Sequence, residues 1–258
     1  MFLLRWILGL PIEAYVRLEV RRLLRNRRTI VFTIALPVIL YVLYTAILRS
    51  GSTVPVGGLA WPVYFFVSMA SYGAMAAAMG QASSIAAERA SGWTRHLRVT
   101  PLPSWGYLVT KVVAAVVLTV PALLLVAVAA ILVNHVSLPV REWAAVIAAL
   151  ALGSLPFAAF GILIGYLLDV DSAQGGMVLA FFTLALLGGL FAPVDTFPSA
   201  LATVARLLPS YHLADIGRSA VAGQLPDLGD MADLAGMTLV IGGLVVWRYR
   251  TVEDRPRG

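Results

Sequence analysis

The chain has 258 residues, of which 60% are hydrophobic and 12% are charged, and its mean hydropathy is +0.88. Soluble domains carry about 25% charged residues, so this composition argues against a soluble fold. Cysteine is absent, which excludes a disulfide framework, a cysteine-based zinc site and thiol chemistry. The formal net charge is +6, but the arginines stand beside apolar runs. We therefore expect the positive charge to face membrane lipid, and we expect no nucleic-acid partner.

Residues 1–29 precede the first long apolar run. Three arginines in this segment, Arg17, Arg21 and Arg25, alternate with apolar residues at roughly helical spacing. The pattern predicts an amphipathic interfacial helix on the cytoplasmic membrane surface. In a simpler interpretation, the arginines only hold the adjacent span in its orientation. Residues 1–10 lack a small-residue cleavage site, so we do not expect a cleaved signal peptide.

Six apolar windows are long enough to cross about 30 Å of hydrocarbon. The last window is the shortest and is rich in glycine, but without it the C-terminal arginines would lie on the outer side of the membrane. We therefore predict a single all-α integral membrane domain over 1–258. Its six predicted transmembrane helices are residues 30–48, 61–86, 107–133, 143–168, 173–192 and 231–247.

The arginines also predict the orientation of the chain. Fourteen of the 18 lie in the N-terminal segment, in the loop between the second and third windows, or in the C-terminal tail. Short loops rich in Lys and Arg stay in the cytoplasm, so we predict that both termini are cytoplasmic. Lys111, which is the one lysine, lies a few residues inside the third span and is expected to reach the cytoplasmic interface. The scarcity of lysine is typical of a GC-rich bacterial genome, which indicates a bacterial plasma membrane.

The spans hold few candidates for chemistry. A charge at mid-membrane costs at least about 2.5–3.5 kcal/mol, and the span cores contain essentially none, which disfavours a carrier driven by protons or sodium. The three histidines, His96, His135 and His212, are far apart in the sequence and lack a carboxylate at ligand spacing, so no metal site is expected. Lys111 is not part of a phosphate-binding loop. We expect no catalytic residue and no cofactor bound by this chain.

The loop between the second and third windows carries the most informative motif. Glu88 and Arg89 end the span, Gly92 follows, and a basic segment with Arg95 and Leu97 leads to a proline. This order resembles the signature of permease subunits of ABC-2 type transporters. That family includes daunorubicin-type drug exporters and exporters of polysaccharides and teichoic acids. Trp93 stands where the family often has threonine.

A second motif follows the fifth window. Gly189, Phe191 and Pro193 are similar to the family's run of glycine, aromatic residue and proline. Pro198 and Pro209 come after it, the latter in a Leu-Pro pair that also matches the family's order. Together with the predicted six spans and N-terminal helix, the resemblance covers nearly the whole chain.

The resemblance implies a role for each segment. The second-to-third loop would form a coupling helix that docks on a separate ATP-binding subunit, with Glu88, Arg89, Gly92, Arg95 and Leu97 at or near the contact. ATP and Mg would be held by that partner. Residues 193–230 would form short, partly re-entrant helices that help to close an outer gate. The alternatives are a solvated loop that serves topology only and a plain external loop.

The function that the resemblance implies is that of the transmembrane permease of an ABC exporter, with no enzymatic activity of its own. Two permease copies would form a homodimer and move a hydrophobic or amphiphilic substrate, such as a drug, lipid or glycolipid, which suggests drug resistance as one role. One alternative is a membrane-embedded lipid-modifying enzyme, for which Asp169 and Asp171 are the candidate acidic pair. Another is a non-transporting scaffold or immunity protein.

Overall fold

A computed structural model of the chain describes residues 35–48, 57–80, 82–93 and 104–253, together with residues 17, 18, 21 and 33. In these ranges the backbone is almost entirely helical. Ten α-helices are formed there: α1 Leu36–Leu48, α2 Trp61–Met79, α3 Ala82–Ala90, α4 Ser104–Asn134, α5 Val140–Gly153, α6 Leu155–Leu167, α7 Val170–Leu187, α8 Ser199–Ala205, α9 Pro209–Val221 and α10 Leu228–Glu253. A short 3-10 helix, Val194–Thr196, precedes α8.

The prediction of an all-helical membrane protein is confirmed. Among the described residues, five helical stretches are long and apolar enough to cross a membrane: Trp61–Ala90, Gly106–Asn134, Val140–Leu167, Val170–Leu187 and Leu228–Thr251. Helices satisfy their own backbone hydrogen bonds, which is why apolar windows of this length fold as helices in lipid. The described part of the first predicted span, α1, has 13 residues and is shorter than a full crossing. The count of six spans stays a prediction.

The fourth predicted span consists of two helices. Helix α5 ends at Gly153, and α6 begins at Leu155, after the single residue Ser154, with Pro156 in its first turn. Proline has no N–H to donate to the preceding turn, so a helix start suits it. The hydroxyl of Ser154 donates to the carbonyl of Ala151 at 2.7 Å, which satisfies one of the free carbonyls at the break. Pro121, by contrast, lies inside the uninterrupted α4.

Helix α2 forms the centre of the bundle. Its side chains are buried along nearly its whole length, including Phe65, Met69 and Tyr72, and α1, α4, α6 and α9 pack around it. Small residues allow the backbones to approach closely, as is usual in membrane bundles. A Cβ added at Gly161 of α6 would lie 2.7 Å from the carbonyl oxygen of Met79 in α2. Helices α7 and α10 lie at the edge and expose apolar side chains.

The five long helical stretches of the described chain alternate in direction, so the bundle has two ends. We call one of them the arginine-rich end; residues 88–93, 104–111, 165–170 and 248–253 lie there. The other, which we call the opposite end, holds residues 57–61, 134–140 and 188–230. At the opposite end, the amide nitrogen of Asn134 lies 3.0 Å from the hydroxyl of Tyr41, which joins α4 to α1.

The segment between α7 and α10 is folded onto the bundle. Helix α9 buries Leu213, Ile216 and Gly217 against α5, α10 and α2. A Cβ added at Gly153 would lie 2.7 Å from Cδ1 of Ile216. Gly153 is the last residue of α5, about 20 Å along that helix from Val140 at 1.5 Å per residue. Helix α9 therefore packs beside the middle of the fourth span and not only beside its end.

Candidate functional site

A buried ion pair joins two helices at the arginine-rich end. The carboxylate of Glu88 on α3 accepts a hydrogen bond from Nζ of Lys111 on α4 at 2.8 Å, and its second oxygen accepts from the hydroxyl of Tyr107 at 2.8 Å. Lys111 is fully buried and Glu88 is 4% exposed. Tyr107 and Lys111 are four residues apart and therefore share one face of α4. The ammonium also lies 5.5 Å from the ring centroid of Tyr107.

This geometry corrects the expectation for Lys111. Its side chain is not extended toward the membrane interface but is enclosed in the bundle by Glu88 and Tyr107. The physical reason is that α3 brings a carboxylate to the same depth, so pairing inside the protein replaces hydration of the ammonium. An apolar cluster that includes Ile85, Ile162 and Val245 packs against Tyr107 and closes off the pair.

Arg89, the neighbour of Glu88, connects α3 to α6. Its Nη1 donates to the carbonyl of Gly165 at 2.6 Å, and its guanidinium carbon lies 5.2 Å from the ring centroid of Tyr166. The ring of Tyr166 in turn meets the edge of Tyr249 on α10, with ring centroids 6.0 Å apart. Glu88 therefore contacts α4, and the next residue, Arg89, contacts α6, which in turn contacts α10 through Tyr166.

The predicted coupling residues fall into two groups. Glu88 and Arg89 point into the bundle, where they hold α3 in place. Gly92 lies in the turn that ends α3, with its φ at +73° and nothing within 4 Å of an added Cβ. The positive φ suits glycine, because a side chain there is strained. Arg95 and Leu97 lie outside the described residues, and contact of this region with a partner remains a prediction.

Of the predicted interfacial helix, the structure describes Arg17 and Arg21, which are helical and exposed. Arg25 lies outside the described residues. Whether this segment lies on a membrane surface also remains a prediction.

The predicted gate residues at the opposite end lie where short elements begin or end. Gly189 lies in the turn after α7, and the ring centroid of Phe191 is 5.8 Å from that of Tyr72 on α2. Pro193 and Pro198 directly precede the 3-10 helix and α8, respectively. Pro209 occupies the first turn of α9. Their role in a gate stays a prediction.

At the opposite end, the structure brings together three side chains that the sequence does not connect: His212, Asp230 and Asp233. Nδ1 of His212 on α9 lies 2.6 Å from Oδ1 of Asp230 on α10, and its Nε2 lies 3.5 Å from Oδ2 of Asp233. The carboxylates come 18 and 21 residues after the histidine, so no local ligand spacing reveals them. The available signal is that two aspartates stand one helical turn apart at the start of an apolar helix.

A cavity of about 310 Å³ lies beside this group. Arg218 occupies its wall: Nη2 lies 3.1 Å from Oδ1 of Asp215, and the guanidinium carbon is 5.3 Å from the ring of Tyr64 and 5.9 Å from that of Tyr211. Burial raises the pKa of the Tyr211 hydroxyl, so this phenol is neutral and can donate a hydrogen bond at physiological pH.

Of the acidic pair considered for a lipid-modifying enzyme, Asp169 and Asp171, the first has a structural role. The carboxylate of Asp169 accepts a hydrogen bond from the backbone N–H of Ser172 at 2.8 Å and so caps the N-terminus of α7. That hydrogen bond lowers the pKa of Asp169. Asp171 is exposed in the first turn of α7. In the part of the chain that the structure describes, no group of three or more His, Asp or Glu side chains is arranged to hold a metal ion.

Comparison with known proteins places these features in a family. Residues 56–247 match the family model described as "ABC-2 family transporter protein". The chain is also 29% identical over 209 residues to the protein named "Putative transport permease YvfS" of Bacillus subtilis (strain 168), and this match covers 81% of the chain and 84% of that relative. The family match includes α2 to α9 and most of α10, and with them both ends of the bundle. The chain therefore belongs to the ABC-2 family of transporter proteins and is a multi-pass membrane permease.

Proposed function

We propose that this permease is the transmembrane subunit of an ATP-driven exporter. Two copies pair with each other and with two separate ATP-binding subunits, which hold ATP and Mg. The family implies an ABC ATP-binding partner, and the resemblance of the loop after α3 to the ABC-2 signature supports docking at this loop.

The observation that carries the proposal is the double connection of α3. Glu88 joins it to α4 and Arg89 joins it to α6, both through contacts of 2.8 Å or less. Protein interiors are close-packed and transmit displacement. A push on the loop that follows Gly92 is therefore passed through α3 to α4 and α6. In this proposal Glu88 and Arg89 are positioning residues, and the surface that meets the partner begins at the turn after α3, where Ser91 and Trp93 are exposed.

The arginine-rich end faces the cytoplasm in this proposal. The distribution of arginines supports that orientation, since basic loops are retained on the cytoplasmic side. It also brings the turn after α3 to the side where an ATP-binding subunit operates. Six spans, with α1 completing the first, keep both termini on that side.

The exposed face of α7 supports pairing of two copies. This face contains polar and small side chains, and such side chains favour contact with protein or water over contact with lipid. The exposed positions recur every three to four residues: Asp171, Gln174, Gly175, Val178, Leu179, Phe182, Thr183 and Leu186. A second copy against this face would put the transport path between the two bundles.

The segment between α7 and α10 acts as the outer gate in this proposal. The contact of α9 with Gly153, about 20 Å along α5, supports a re-entrant position. Helix α9 packs against α2, α5 and α10 at once, so a displacement of those helices moves α9 or changes its packing.

The proposed substrate is hydrophobic or amphiphilic, such as a drug, a lipid or a glycolipid. The support is that the buried charges among the described residues are paired with each other, as in Glu88 with Lys111. These charges already have partners within the protein and do not form a site for a charged substrate. Export as the direction, and drug resistance as one consequence, follow from the family resemblance.

The test is co-purification of the tagged permease from native membranes, followed by substrate-stimulated ATPase measurements. We expect a stoichiometric ATP-binding subunit. Gly92→Ala should uncouple ATP hydrolysis from transport, because alanine strains the turn after α3 by about 1–2 kcal/mol. Gly58→Ala is the matched control: its φ is +77° and an added Cβ also meets nothing within 4 Å, but it lies at the opposite end.

Two results would contradict the proposal. The first is recovery of folded permease without any ATP-binding subunit. The second is equal ATPase coupling in the Gly92→Ala and Gly58→Ala variants at matched expression.

A further inference from the structure

His212 connects the folded segment of the opposite end to the last span. Its ring on α9 lies between two carboxylates of α10, with Nδ1 2.6 Å from Asp230 and Nε2 3.5 Å from Asp233. The side chains of His212 and Asp230 are 8% and 11% exposed, whereas that of Asp233 is 58% exposed. The contact of His212 with Asp230 is therefore largely buried, whereas water reaches Asp233.

The number of protons decides whether both contacts are attractive. Carboxylates only accept hydrogen bonds when they are ionised, and a neutral imidazole has one N–H and one lone pair. One of the two contacts would then bring a lone pair against an ionised oxygen. A second proton, held on the imidazole or shared across the 2.6 Å contact with Asp230, makes both contacts attractive.

We propose that His212, Asp230 and Asp233 form a proton-dependent latch that holds α9 against α10 when protonated and weakens when the proton is lost. The latch belongs to this chain alone and does not depend on the proposed transport cycle. If α9 also serves as the outer gate, the latch would make the stability of that gate depend on the pH at the opposite end of the bundle.

The charged groups around the latch make the second proton important. The carboxyl group of Asp215, from α9 itself, faces Asp230, and Arg218 is paired with Asp215. Loss of the proton leaves Asp230 beside a like charge in a largely buried site, which is unfavourable. Tyr211 is a further titratable group on α9 itself. The neighbouring elements contribute Tyr64 from α2, Glu142 from α5, Asp195 from the 3-10 helix and Arg206 at the end of α8. Helix α7 meets α9 through the carbonyl of Leu184, which accepts from the hydroxyl of Ser210.

The sign of the pH dependence follows from this arrangement. The folded state gains from the protonated form, so the stabilisation is present on the acidic side and is lost as the pH rises. Histidine is the side chain whose charge ordinarily changes between pH 5 and 8. Below about pH 4 the carboxylates are also protonated, so the experiment stays above that range.

The experiment uses the full chain in lipid nanodiscs, without an ATP-binding subunit. Hydrogen exchange is measured from pH 5.5 to 8.5 and expressed as protection factors, which removes the intrinsic pH dependence of exchange. We expect protection of residues 209–221 to fall by roughly tenfold or more as the pH rises, given the strength of hydrogen bonds to charged groups. His212→Gln should show the lower protection at every pH. His135→Gln, which changes an exposed histidine, is the matched control and should keep the wild-type dependence.

Flat protection in the wild-type chain would overturn the latch, as would an unchanged pH dependence in His212→Gln. A loss of pH dependence in His135→Gln would overturn the assignment to His212. If His212→Gln does not fold, Asp233→Asn decides, because its side chain is largely exposed. A reduced pH dependence in that variant supports the latch, and a wild-type dependence overturns it.

Discussion

The carboxylate of Glu88 and the ammonium of Lys111 lie 2.8 Å apart in the interior of the bundle, and the hydroxyl of Tyr107 donates a hydrogen bond to the other oxygen of the same carboxylate. A buried pair of this kind differs from a surface pair. Removal of one partner leaves an uncompensated charge, whereas removal of both leaves none.

We expect Lys111→Met to lower the free energy of unfolding by about 3–5 kcal/mol, because it strands Glu88 without its cation. The double variant Glu88→Gln with Lys111→Met should recover most of that loss. Denaturant or thermal unfolding of the four proteins in one detergent provides the measurement. If the losses of the two single variants simply add in the double variant, the two groups are not paired.

The guanidinium of Arg89 should not be replaceable by an ammonium. Lysine cannot reproduce both the hydrogen bond to Gly165 and the planar contact with Tyr166. We expect Arg89→Lys to reduce stability by about 1–2 kcal/mol and to increase amide exchange in α3. Arg250→Lys, at an exposed position in the last turn of α10, is the control and should change neither. An equal effect of both variants would argue against the connection between α3 and α6.

Close packing of α2 and α6 at Gly161 should make this glycine intolerant of alanine. An added Cβ would lie 2.7 Å from the carbonyl oxygen and 2.8 Å from Cα of Met79, so backbone atoms would have to move. We expect Gly161→Ala to destabilise the protein by about 1–3 kcal/mol. Gly236→Ala is the control, since nothing lies within 4 Å of its Cβ and alanine favours helix. Thermal unfolding that ranks the two variants in the reverse order would rule out this packing.

The stability of the N-terminus of α7 should depend on pH in the acidic range, because its cap is the carboxylate of Asp169. Ionised Asp169 accepts the N–H of Ser172, and this hydrogen bond lowers its pKa. The stabilisation is therefore present at neutral pH and is lost as the pH falls through the lowered pKa. We expect protection of the amide of Ala173, which bonds to the carbonyl of Asp169, to fall in acid.

Two variants test the origin of that titration. Asp169→Ser keeps a capping oxygen without a titrating group, so its Ala173 protection should not depend on pH in this range. Asp171→Ala, two residues away and exposed, should retain the wild-type acid dependence. Acid dependence that survives in Asp169→Ser would assign the titration to another group.

The sequence by itself determined the class of this protein. Hydropathy over windows of about 20 residues is a local property, and in lipid such windows are helical because no other structure satisfies the backbone. The order of Glu88, Arg89 and Gly92 is also local, and for this reason it indicated the family before any contact was known. Arginine positions predicted an orientation in the same way.

Only the tertiary structure decided which way the polar side chains face. Glu88 and Lys111 are 23 residues apart, and His212 and Asp230 are 18 apart, with helix ends and turns between them. Whether such groups meet depends on the rotation and depth of packed helices, which no local pattern specifies. Lys111 could therefore be expected at the interface from its sequence position alone, whereas the packing of α3 against α4 enclosed it with a carboxylate.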